Sequence, residues 1–176
     1  MVTSKLVCRL ERAEVVRRVR ELSLVLTDCD GVLTDGGVYY GPSGDELRKF
    51  SVRDGMGFSL LRGAGLSCGI VSGEAARSIA ARAEKLALTE VHLGVREKGA
   101  CLARILERRA IAPSACAYIG DDINDLPIFS ALSLGVTACP ADAAEEVMAT
   151  AHVILPVKGG EHAFRAFSEF LISHRS

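Results

Sequence analysis

Short apolar runs alternate with stretches of helical periodicity over most of this chain of 176 residues, and few folds accept that alternation. The runs at residues 68–71, 91–93, 116–119, 134–137 and 152–155 are too short for buried helices and read as strands. Between them, Met56/Leu60/Ala64, Ile79/Ala83/Leu86 and Leu102/Ile105/Leu106 recur at three- and four-residue steps, as one face of a helix does. Strands joined by helices of this length predict a doubly wound α/β domain with a parallel sheet and helices on both faces.

The pattern extends in both directions. Residues 1–21 predict an N-terminal amphipathic helix striped by Leu6, Leu10, Ala13 and Val16, and residues 22–27 a first buried strand. Residues 36–50 predict a β-hairpin turning at Gly41-Pro42-Ser43-Gly44, and Phe164, Phe167 and Leu171 mark a closing helix. With 49% hydrophobic residues and no linker or repeat, residues 1–176 read as one domain.

Charge narrows the partners. Twenty-one basic residues against 22 acidic ones leave a net charge of −1, which offers no general attraction for nucleic acid or an acidic membrane. The six cysteines form no CxxC pair and read as small core residues in a reducing compartment. No window approaches the ~18 apolar residues of a membrane span, and no signal-type apolar run occurs near the start, so the expected location is the cytoplasm.

In open α/β sheets, reactive groups collect at the carboxyl ends of the strands. Four predicted strand ends carry polar residues here: Asp28 and Asp30, Ser72 with Gly73, Lys98 at a helix start, and Gly120-Asp121-Asp122. Residues two apart on an extended segment face the same way, so Asp28 and Asp30 share a pocket. With Asp121 they form an oxygen-only cluster suited to Mg²⁺, which keeps waters and accepts phosphate. A carboxylate can attack phosphorus while a neighbouring carboxyl protonates the leaving alcohol, which suits Asp28 and Asp30 respectively. Ser72 and Lys98 complete a phosphate cradle, Asp122 is expected to orient Lys98, and Asp125 to support the metal shell from behind.

These motifs, Asp28-Cys29-Asp30-Gly31-Val32, Ser72, Lys98 and Gly120-Asp121-Asp122-Ile123-Asn124-Asp125, resemble those of the haloacid dehalogenase superfamily of phosphatases, in that family's order. The resemblance implies that Asp28 is the nucleophile and Asp30 the acid/base. It also implies that the metal is held by Asp28, the backbone carbonyl of Asp30, and Asp121. Asp30 to Ser72 is a step of 42 residues and Ser72 to Lys98 one of 26, which leaves no room for the cap domain many relatives insert.

Within that superfamily the chain is similar to the capless branch that hydrolyses phosphorylated sugar acids, through residues 34–40, Val52-Arg53-Asp54-Gly55-Met56-Gly57 and Gly159-Gly160-Glu161. That resemblance implies a homotetramer built on the hairpins, with each subunit's tail helping to close its neighbour's site, and a small sugar phosphate as substrate. Gly73-Glu74 departs from the Gly-Arg of enzymes acting on the eight-carbon Kdo 8-phosphate of lipopolysaccharide biosynthesis. It resembles instead the phosphatases of nine-carbon acids, KDN and N-acetylneuraminate (a sialic acid) 9-phosphate. The implied substrate contacts are Arg53, Glu74, Arg82 and Lys85, the last three expected on one helical face, where Arg82 and Lys85 also read as an ordinary exposed charged surface. The nine-carbon substrate is the expectation and Kdo 8-phosphate the alternative. Noncatalytic relatives that serve as oligomerising modules of sugar-nucleotide pathways are told apart by loss of the nucleophile or motif lysine, both retained here.

Overall fold

A computed structural model describes residues 5–44 and 46–175. Strands β1 (Val7–Cys8), β2 (Leu24–Thr27), β5 (Ser67–Val71), β6 (Glu90–His92), β7 (Cys116–Ile119), β8 (Val136–Cys139) and β9 (Val153–Ile154) form one sheet in the order β1-β9-β8-β7-β2-β5-β6. All pairings are parallel except that of β1 with β9. The helices are α1 (Arg12–Glu21), α2 (Val52–Gly63), α3 (Arg77–Lys85), α4 (Lys98–Arg109), α5 (Leu126–Ala131), α6 (Glu145–Thr150) and α7 (Ala163–Ser173). Strands β3 (Tyr39–Tyr40) and β4 (Glu46–Leu47) make the hairpin, with Tyr39 opposite Leu47.

The central strand shows why the sheet is covered on both faces. Leu24 and Leu26 enter one apolar cluster with Leu102, Ile105, Tyr118 and Ile128, whereas Val25 enters the other with Phe58, Ile79, Phe164 and Phe167. Successive strand residues point to opposite faces, so a strand buried on both sides reads as a continuous apolar run. On the second face α7 closes over α2, where the Phe58 and Phe164 rings stack at 4.0 Å between centroids. Each buried ring contributes roughly 2 to 3 kcal/mol of transfer free energy.

The expected N-terminal helix of residues 1–21 is corrected: the helix begins at Arg12, and Val7–Cys8 is a strand that pairs with Cys8 opposite Val153. Residues 1–4 lie outside the described residues. Leu6 and Leu10 mimic a helical stripe, but β9 would otherwise present unpaired backbone groups along the sheet edge. The fourth crossover strand sits at 136–139 rather than 134–137, because Gly135 N–H closes a turn onto Leu132 O and leaves Leu134 exposed. Glu74 precedes α3 instead of lying on it, so it shares no helical face with Lys85.

The C-terminal segment makes contacts within its own chain. Gly160 N–H donates to Val32 O at 3.0 Å, and Arg175 Nη1 donates to Val19 O and Leu22 O at the end of α1.

Candidate active site

The chain runs from β2 outward to β5 and β6, then crosses back through α4 to β7 on the other side of β2. Loops from neighbouring strands therefore part at the carboxyl end of β2, where a crevice opens. Its volume is about 260 Å³, and its walls include Asp28, Asp30, Ser72, Glu74, Asp121 and Asn124.

Asp28 stands at that point with 5% of its surface exposed. Its N–H still donates to Ile119 O at 2.9 Å, as a strand residue would. Its Oδ1 accepts from Cys29 N–H at 2.7 Å and its Oδ2 lies 2.8 Å from Lys98 Nζ. Lys98, in the first turn of α4, is fully buried between Asp28 and Asp125, with Nζ 2.7 Å from Asp125 Oδ1. Asp125 is the hub: Oδ1 also accepts from Tyr118 O–H at 2.6 Å, and Oδ2 accepts from Asp121 N–H at 3.0 Å. The expectation that Asp122 orients Lys98 is thus corrected. Asp122 is exposed and caps the 3-10 turn Ile123–Asp125, its Oδ1 accepting from Ile123 N–H at 2.7 Å.

One carboxylate oxygen from each of Asp28, Asp121 and Asp125 lies within 4.8 Å of the others. Burial raises the pKa of Asp28, the charge of Asp125 raises it further, and Lys98 opposes both. Asp121 is pushed up to about 8 by burial and by the charges of Asp28 and Asp125. Lys98 titrates above its ordinary value, since these two aspartates outweigh the burial that would lower it. Asp121 Oδ1 is buried with no donor. Three carboxylates facing one lysine, with one oxygen unpartnered, fit a hard divalent cation. Asp28 and Asp121 line the crevice and are the candidate ligands, whereas Asp125 lies behind them, committed to Lys98, Tyr118 and the Asp121 amide.

Gly31 makes this clustering possible. Its φ is +84°, and a Cβ there would collide with the Asp121 carboxylate.

Asp30, two residues on from Asp28, also lines the crevice, but its carboxylate is not one of the three clustered there. Oδ1 accepts from Arg48 Nε at 2.8 Å and from Thr34 O–H at 3.2 Å. Ser72 is 1% exposed, and its Oγ accepts from Glu74 N–H at 3.1 Å, leaving the hydroxyl proton to donate. Glu74 also borders a second hollow of about 600 Å³ beneath the hairpin, walled by Glu46 and Arg77.

The other expected substrate contacts are not in the crevice. Arg82 Nη2 donates to Ser51 O at 2.8 Å while its guanidinium lies 5.6 Å from the centre of the Phe50 ring, so it props the base of the hairpin. Lys85 is exposed at the end of α3. Arg53 lines a separate cleft with His162, Arg165 and Glu169. Arg48 and Tyr118 escaped the sequence reading: one resembled a solvent-facing hairpin charge, the other a core strand residue.

A parallel sheet with aspartates after β2 and β7, a serine after β5 and a buried lysine opening α4 is the arrangement of a phosphate-transferring hydrolase, and the chain belongs to the haloacid dehalogenase-like hydrolases. Residues 76–159 match the model of that family, and the chain is a phosphoric monoester hydrolase. Among its relatives, 3-deoxy-D-manno-octulosonate 8-phosphate phosphatase KdsC of Escherichia coli K12 is 33% identical over 91% of this chain and 84% of that protein. The corresponding phosphatase from Yersinia pestis superposes with a TM-score of 0.87 at 31% identity, covering 92% of this chain and 86% of that one. The Moraxella catarrhalis enzyme, crystallised with magnesium, phosphate and KDO, superposes with a TM-score of 0.88 at 28% identity over 94% of both chains.

Proposed function

We propose that this protein is a magnesium-dependent phosphatase of a phosphorylated sugar acid, Kdo 8-phosphate, working through a phosphorylated Asp28. The observation that carries the reading is the buried Asp28, Lys98, Asp125 and Asp121 constellation, in a chain whose relatives along nearly its whole length are Kdo 8-phosphate phosphatases. Kdo 8-phosphate thereby takes precedence over the nine-carbon substrate expected from Glu74.

Asp28 is the nucleophile: a carboxylate oxygen forms the bond to phosphorus as the ester P–O bond breaks. Asp30 gives its proton to the departing sugar oxygen, then takes one from the water that attacks phosphorus and frees Asp28. Lys98 holds Asp28 in line and offsets phosphate charge, and Ser72 donates its hydroxyl to a phosphate oxygen. Asp28, the Asp30 carbonyl and Asp121 would hold magnesium, which would supply charge neutralisation at the phosphoryl group.

The sugar lies past Glu74 toward the hollow beneath the hairpin. Exposed Tyr39, Tyr40 and Leu47 on the hairpin, at 69%, 72% and 62%, favour its use as the contact of a homotetramer. Arg53 then contributes to substrate only across such an interface. Among the described residues no helix is long and apolar enough to cross a membrane, in keeping with work in the cytoplasm on a soluble metabolite.

A second reading retains the nine-carbon acid 9-phosphates, favoured by Glu74 at the rim in place of a cation. The test is kcat/KM for Kdo 8-phosphate, KDN 9-phosphate and N-acetylneuraminate 9-phosphate, with Mg²⁺ and with EDTA. A Kdo 8-phosphate preference abolished by EDTA is the expected result, and a nine-carbon preference selects the second reading.

A further inference from the structure

The hairpin residue Arg48 has a side chain only 1% exposed, although the strand it follows lies open to solvent. Its guanidinium is fixed from three sides. Nε donates to Asp30 Oδ1 at 2.8 Å, and Nη1 donates to Glu46 Oε2 at 2.9 Å and to Ser78 Oγ on α3 at 3.3 Å. Thr34 O–H adds a second donor to the same Asp30 oxygen.

The consequence is an asymmetric carboxyl. Oδ1 of Asp30 carries two donors, while Oδ2 is buried and has none. A carboxyl without such anchors rotates about its last torsion and presents either oxygen. Held by Arg48, it presents one fixed face. Arg48 is absent from the crevice walls, so it acts through Asp30 rather than on the substrate.

Resting on the reading of Asp30 as acid/base, we propose that Arg48 is a positioning residue that reserves Asp30 Oδ2 for proton transfer to the leaving group and ties that geometry to the docking of the hairpin. A buried charge-assisted bond of this kind is directional as well as strong. Lysine offers a point charge in place of the guanidinium fork and retains part of the alignment.

The test compares kcat/KM for an alkyl sugar phosphate, whose leaving oxygen needs a proton, with that for 4-nitrophenyl phosphate, whose leaving group departs without one. kcat/KM reports the first phosphoryl transfer, where only the acid role of Asp30 enters. Arg48→Met is expected to lower the alkyl value on the order of 10²-fold, the range of general-acid contributions, and the aryl value by less than about threefold. Arg48→Lys should recover part of the alkyl loss, and adding Arg48→Met to Asp30→Asn should cost little more than Asp30→Asn alone. Equal losses on both substrates in Arg48→Met and Arg48→Lys would overturn the proposal in favour of hairpin docking alone. If Asp30→Asn itself spared the alkyl substrate, the acid/base reading would have failed first, which keeps the two failures apart. Should Arg48→Met not fold, Ser78→Ala, which removes an anchor of Arg48 without touching Asp30, is expected to show the same split at smaller amplitude, and its absence there counts against the proposal.

Discussion

Lys98 and Asp125 form a fully buried ion pair, with Nζ 2.7 Å from Oδ1 and neither side chain exposed to solvent. Twenty-seven residues apart in sequence, they join the start of α4 to the turn after β7. Because Asp125 also accepts from the Asp121 amide, one carboxylate sets the position of both Lys98 and Asp121.

Removing that carboxylate strands Lys98 with Asp28 alone and leaves the Tyr118 hydroxyl unpaired. Asp125→Ala is therefore expected to destabilise the protein by roughly 1 to 3 kcal/mol, the cost of leaving buried donors unsatisfied while the Lys98–Asp28 pair persists. Urea denaturation at fixed Mg²⁺ measures it, and a loss below about 1 kcal/mol contradicts the hub role.

Asp28→Asn exchanges an attacking oxygen for an amide that cannot form the acyl phosphate. Turnover should vanish while the circular dichroism spectrum is retained. Appreciable phosphate release by the purified variant sinks the proposed nucleophile.

Proton and cation compete for Asp121, whose pKa without metal lies near 8. Its group must be ionised to hold a cation, so Mg²⁺ binding should tighten as pH rises from 6 to 8.5 and release protons below about pH 8. Isothermal titration in two buffers of different ionisation enthalpy detects that release; a pH-independent affinity refutes it.

At Gly31 a methyl group would occupy the space of the Asp121 carboxylate, on a backbone at φ +84°. Gly31→Ala should lose Mg²⁺ affinity at least tenfold, an effect of about 1.4 kcal/mol or more. Unchanged affinity means that Asp121 holds no metal.

Asp54 answers a different question, that of stability. It lies 2% exposed, Oδ1 accepts from Arg165 N–H at 2.8 Å, and Oδ2 has no partner. Burial lifts its pKa to about 6, against the pull of the Arg165 amide. The folded protein thus holds a proton that the unfolded chain has already released near pH 4 to 6. Stability from this group is greatest at low pH and falls by roughly 2 kcal/mol as pH rises through 6. Asp54→Asn should flatten that fall, visible as a wild-type minus variant difference in denaturation midpoints between pH 4.5 and 7.5.

Much of this molecule is legible in one dimension, because alternation of period two and period 3.6 is local. The crossover strands, the hairpin and the aspartates at the carboxyl ends of β2 and β7 all follow from residues within a few positions of each other. Asp28, Ser72, Lys98 and Asp121 meet because a parallel sheet brings its carboxyl ends to one edge. Tertiary structure decided the rest, since those choices depend on partners far along the chain. Val7–Cys8 became a strand because β9 had an open edge more than 140 residues away. Asp125 rather than Asp122 took Lys98, because the turn after β7 points one carboxylate inward and leaves the other to cap it. Arg82 turned to the hairpin base and Arg48 to Asp30, since a buried guanidinium goes where acceptors already wait, and spacing along a helix cannot say where those are.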